Sequence, residues 1–253
     1  VHLPALAAGR TRLRAAAPAR VHALGAPSVP AVGDTLSLAV PDPTSADPCN
    51  TFTRIRAVVK VIGTAGIWVE DVANPAADSL TTADIQRASN QFDASIYAVD
   101  TSYFGAPSDI DGNGRVIVVL TWQVNRASRI LGFVFGGDLF PGPQCPESNG
   151  GELYYGQVPD PGNVAATGAR AKADVIAEMP QLIAHEFTHV IQMSQRAILH
   201  AGMPMTSWEM EGQATLAEEL VGNAVLGNSA GQNYGASVAF GAAIDCVMMT
   251  PWS

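Results

Sequence analysis

The sequence has almost no lysine. Of its 14 basic residues only Lys60 and Lys172 are lysines, and the rest are arginines. We read that as genome composition rather than function. Acidic residues outnumber basic ones, so the net charge is −9 and the pI about 4.9. The basic footprint of a nucleic-acid partner is missing, and the surface is expected to be soluble and self-repelling. Cysteine is scarce too: Cys49, Cys145 and Cys246 include no close pair, which excludes a cysteine-built zinc site. No apolar run is long enough to span a bilayer; the most apolar tail, Ala236 to Met249, is broken by Asp245. No Gly-x-Ser-x-Gly elbow and no phosphate-cradling glycine loop opening a helix is present, which argues against those hydrolytic classes. Repeats and heptads are absent. An initiator Met and a signal peptide are missing, so a mature form or a fragment is expected.

What is there centres on Met179-Pro180-Gln181-Leu182-Ile183-Ala184-His185-Glu186-Phe187-Thr188-His189-Val190-Ile191-Gln192. Helical residues i and i+4 share a face, so His185 and His189 can aim at one point. Imidazole suits zinc, and three protein ligands plus a water make a catalytic site. Glu186, beside the first histidine, is placed to take a proton from that water. Leu182, Ile183, Phe187, Val190 and Ile191 lie at helical spacing and read as buried. Pro180 fits a first helical turn, where its missing N–H costs nothing. The plain alternative is a helix with two hydrogen-bonded histidines and a surface glutamate.

A zinc site needs a third ligand. Thr206-Ser207-Trp208-Glu209-Met210-Glu211-Gly212-Gln213-Ala214 reads as the start of a second helix. Thr206 and Glu209 have capping-box spacing, which gives Glu209 a structural role. Gly212 costs helix stability, and a glycine there suggests close approach of another backbone. That approach would bring Glu211 to the histidines.

His-Glu-x-x-His followed by Trp-x-x-Glu-Gly-x-Ala resembles the gluzincin metallopeptidases, and Thr215 and Glu218 fit their continuation. The resemblance implies zinc on His185, His189 and Glu211, with Glu186 as catalytic base. Glu218 is then either a hydrogen-bond partner of a ligand histidine or part of a solvated helix face. The order of features from Gly33 to Leu220 is similar to the hyicolysin-type secreted neutral metallopeptidases. That likeness implies an α+β, zincin-like fold. Its small mixed or antiparallel sheet and its active-site helix would follow a small β region. It also implies a protein or peptide substrate and a secreted location.

Along the chain, residues 1–31 read as a linker or propeptide remnant, 32–76 as the small β region, and 77–253 as the catalytic domain. Gly33 to Val40 alternates like a strand, and Thr53–Gly63 with Gly66–Asp71 reads as a hairpin. Thr81 to Tyr97 reads as a helix capped by Thr82 or Asp84. Asp109, Asp111 and Asn113 match the start of a calcium loop, but Leu120 stands where its glutamate belongs. A simple Asp/Asn/Gly turn is the alternative. Val116 to Thr121 is continuously apolar and so a central strand, and Gly132 to Asp138 reads as a flap or strand pair. The strand at Leu153-Tyr154-Tyr155 is, in zincins, often the sheet edge that receives substrate by main-chain pairing; Tyr154 and Tyr155 either line the cleft or pack. Cys49 and Cys145 sit in Pro-rich loops and are expected to be bridged, with free thiols as the alternative; a bridge implies an oxidising compartment. The stretch after Glu211 is short for a gluzincin C-terminal lobe, so truncation is expected, and neither Tyr234 nor His200 can be assigned as oxyanion stabiliser. The rival function is a catalytically silent secreted or surface binding module.

Overall fold

The computed structural model describes residues 29–128, 130–203 and 205–228. Residues 1–28, Tyr234, Cys246 and the tail from Ala236 lie outside the described residues, and with them the linker, the third cysteine and the C-terminal lobe.

The hairpin signal in the sequence produces the first half of a sheet. Strands β1 (Thr35–Pro41), β2 (Phe52–Ile62) and β3 (Gly66–Asp71) pair antiparallel in order. A helical crossover then leads to β4 (Val116–Leu120), which runs parallel to β3. Next come β5 (Gly132–Phe133) and β6 (Leu153–Gly156). Together they make one mixed six-stranded sheet in the order β1-β2-β3-β4-β6-β5. The strands of the 32–76 region are therefore continuous with those of the later chain. The architecture is α+β.

The continuous apolarity of β4 follows from its position, because both faces of the sheet are covered. Trp68, Val116, Val118, Leu120 and Tyr154 face the helices and pack with Phe92, Phe187 and Ile191. Ile67, Val69, Val119, Leu153 and Tyr155 face the other way, with Val124 and Phe133. Along β2, Ile55, Ala57 and Val59 join this second core, but Val61 joins the first. A bulge between Val59 and Val61 explains the switch, because an extra residue turns the next side chain to the opposite face.

The crossover is longer than the sequence pattern suggests. Helix α1 (Thr82–Gln91) passes through a π-helical turn, Phe92–Ile96, into α2 (Tyr97–Phe104). Its cap is Thr81 rather than Thr82; Asp84 closes a capping box by accepting from the Thr81 N–H and hydroxyl. Asp93 in the π turn accepts from the backbone N–H groups of Thr64 and Ala65, which fastens the β2–β3 hairpin to the helices. A short α3 (Trp122–Arg126) follows β4. The structure places β6 inside the sheet, between β4 and β5. The reading of Leu153 to Tyr155 as the edge strand is therefore corrected. The edge is the two-residue β5, too short and glycine-rich to register as a strand, and both tyrosines are buried.

Cys49 and Cys145 form a disulfide across 96 residues of sequence. It joins the β1–β2 loop to the segment before β6. Constraining so long a loop in the unfolded chain contributes about 2–5 kcal/mol in small domains. Replacing both cysteines with serine is therefore expected to lower the melting temperature clearly in a thermal scan. A melt that does not change when the bridge is fully reduced would show that the native contacts alone hold these loops.

Candidate metal centre

Two long helices carry the candidate residues. Helix α4 spans Lys172–Met193 and continues into a π-helical turn, Ser194–Leu199; α5 spans Ser207–Leu226. Val175, Met179, Ile183 and Phe187 recur every four residues and are buried against the sheet, with Val190 and Ile191 beside them. Leu182 is only partly buried. Because α4 begins at Lys172, Pro180 sits inside it and not in its first turn. The eight residues before Pro180 are mostly good helix formers, and burial of Val175 and Met179 holds them helical. The carbonyl that loses its donor belongs to Ile176, on the exposed side of the helix.

Helix α5 starts where the sequence indicates. Glu209 accepts from the Thr206 hydroxyl at 2.6 Å and from its N–H at 3.1 Å, so this carboxylate is engaged at the cap. Gly212 does not have the role read from sequence. Among the described residues, a Cβ there would meet nothing within 4 Å. Helices α4 and α5 do pack together, and the small residues that α5 buries are Ala214, Ala217 and Gly222.

The packing brings three donors together. His185 Nε2 lies 3.3 Å from Glu211 Oε2, and His189 Nε2 lies 3.7 Å from Glu211 Oε1. All three ligand atoms are within 4.8 Å of one another. Four donors at zinc bond lengths in a tetrahedron sit roughly 3.4 Å apart, so these separations suit one small cation. The outer nitrogens are also held. His185 Nδ1 is 2.7 Å from Glu218 Oε1, and His189 Nδ1 is 2.9 Å from Gln192 Oε1. Acceptors at both Nδ1 atoms fix the proton there and leave each Nε2 lone pair facing Glu211. Of the two readings of Glu218, the geometry matches the histidine partner.

Gln192 is the residue that sequence reading missed. Besides facing His189, its amide donates to the Met210 carbonyl at 3.0 Å and to Gln213 Oε1 at 3.2 Å. One side chain thus orients a histidine and pins α5 next to Glu211. Its position three residues after His189, on the same helical face, was the available signal. Thr215, in contrast, donates to the Glu211 carbonyl, and His200 is exposed outside the cluster.

Glu186 is 7% exposed, and its Oε2 has no hydrogen-bond partner among the described residues. Burial pushes its carboxyl up, His189 and His185 pull it down, and Glu211 and Glu218 push it up again. Burial lowers the His185 pKa, but Glu211, Glu218 and Glu186 outweigh it and push the imidazole up to about 10. Burial also raises Glu211, and His185 and His189 more than reverse that, so it stays below the usual range. The chain matches no family model and no curated protein.

Proposed function

We propose that this chain is a secreted, zinc-dependent peptidase of the gluzincin kind, with a zincin-like fold, acting on protein or peptide substrates. The observation that carries the reading is the convergence of His185, His189 and Glu211 on one point, with Glu186 buried beside them. Two imidazoles and a carboxylate are a donor set for catalytic zinc, leaving a position for water. The disulfide supports an oxidising compartment. Among the described residues no helix is long and apolar enough to cross a membrane.

Zinc, when bound, supplies a Lewis acid for the scissile carbonyl and lowers the pKa of water. His185, His189 and Glu211 would hold it. Glu218 and Gln192 keep both imidazoles turned, so binding needs little reorganisation. Glu186 accepts the proton of the attacking water on a carboxylate oxygen and passes it to the leaving amine nitrogen. Its unpartnered Oε2 is suited to that exchange. An extended peptide can add to the outer edge of β5, which has no strand partner on that side among the described residues and packs against α4.

Elemental analysis of the purified protein tests the reading, with His185→Ala as control. About one zinc per chain is expected, lost in the control. Glu211→Ala is expected to lower zinc affinity, and undiminished binding would point to Glu218 as the ligand. A folded protein that takes up no zinc even after its addition would instead favour the binding module.

A further inference from the structure

A second group of acids lies away from the histidines. Asp109 and Asp111 sit in the loop between α2 and β4, and Glu152 lies just before β6. Their carboxylates come within 4.8 Å of one another. No ion pair among the described residues involves them. Arg115, the nearest arginine in sequence, gives its guanidinium to the carbonyls of Gly63 and Asn113.

Glu152 distinguishes this group from an ordinary acidic turn. It is 1% exposed. One oxygen, Oε1, accepts from the Ser108 hydroxyl at 2.5 Å and from the Ile110 N–H at 3.2 Å. The other, Oε2, has no hydrogen-bond partner among the described residues. An unpartnered carboxylate oxygen at this depth is costly, and two more carboxylates beside it add repulsion. Burial raises both Glu152 and Asp111, and their acidic neighbours push each further up. Gly151 keeps room for the arrangement, since a Cβ there would come 2.9 Å from Asp111 Oδ2. A cavity of ≈ 500 Å³ is lined in part by Asp111 and Asn113.

We infer that Asp109, Asp111 and Glu152 form a calcium site. Oxygen-only donors of high negative charge suit a hard cation, and calcium accepts the irregular geometry of two loops better than magnesium does. The sequence suggests a contiguous loop with Asn113 as third ligand. In the structure Asn113 is engaged elsewhere. Its amide donates to Asp111 Oδ2 at 2.6 Å and its oxygen accepts from the Arg115 N–H at 2.6 Å. The missing glutamate of the twelfth position is supplied instead from beside β6. The site also reaches the end of α4, because the Ser108 hydroxyl that bonds Glu152 lies 2.8 Å from that of Ser194. Bound calcium would thus tie the β4 and β6 approaches to the helix carrying the histidines. This inference stands independently of zinc.

Protein stripped with chelator and titrated with calcium chloride tests it, read by calorimetry and by melting temperature. Uptake of about one ion per chain and a melt raised by several degrees are expected. Asp109→Asn with Asp111→Asn should abolish both, and Asp109 is exposed, so that variant should fold. Glu152→Gln, which can still accept from Ser108, should weaken calcium binding at least tenfold. His185→Ala should leave the calcium response intact. The inference is overturned by a folded, stripped protein that shows no response, by a response equal in the double variant, by one lost in His185→Ala, or by a response to magnesium alone.

Discussion

Replacing Glu186 with glutamine is expected to leave zinc bound and to lower turnover by about a hundredfold to ten-thousandfold, the usual span for a lost general base. The side chain is buried and adjacent to His185, yet it is not one of the three convergent donors. Glutamine keeps its volume, so α4 should pack as before and His185 and His189 should keep their partners. What glutamine cannot do is accept the proton of water. The comparison needs two measurements on the same preparation: zinc per chain and the rate on a fluorogenic protein substrate. Full activity at equal zinc content would remove Glu186 from the mechanism. Loss of zinc together with activity would make it a structural support of the site.

The second large effect is on stability against pH. Asp100 in α2 is 0% exposed, and neither oxygen has a hydrogen-bond partner among the described residues. Burial, with no opposing charge, pushes its carboxyl from 3.8 to about 8. The folded protein therefore holds this proton where the unfolded chain, near its ordinary value, has released it. A raised folded-state pKa means that its contribution to stability is fully present below about pH 4 and declines as pH rises towards 8. At about 1.4 kcal/mol per unit, the decline is on the order of 5 kcal/mol. Asp100→Asn stays neutral throughout. Its melting temperature is expected to match the parent near pH 4, to exceed it increasingly up to about pH 8, and to keep a constant margin above that. Parallel melting curves for the two proteins across that range would show that Asp100 ionises in the folded state at no special cost.

The parts of the site that were legible in the sequence are those that one helix encodes by itself. The four-residue step from His185 to His189 becomes a shared face as soon as α4 forms. The Thr206–Glu209 box needs only the first turn of α5. Glu211 is reached by the close approach read from Gly212 and by the resemblance, because nothing else local says which part of α5 meets α4. Gly212 misled because a side chain there would meet open space, while the small residues that α5 buries lie further along the helix. The acidic group failed differently. A contiguous twelve-residue template looks for its last donor at Leu120, which β4 needs for the core, whereas Glu152 arrives through sheet pairing that no spacing along the chain records. The same non-local pairing hid β5, whose two residues carry no period.

The disulfide divides the chain unequally. The covalent ring it closes runs from Cys49 to Cys145 and encloses β2 through β5, with α1 to α3. Helices α4 and α5, which carry every candidate zinc ligand, lie outside that ring and are held by packing and by bonds such as those of Gln192. Opening free energies differ from one part of a fold to another. Strands β1 and β6 also lie outside the ring, and the expected order is that segments outside it open before those inside. Heat or denaturant is then expected to disperse the candidate ligands His185, His189 and Glu211 while the ringed strands β2 to β4 persist. Inactivation would precede collapse of the fold, and added zinc would delay the first event more than the second.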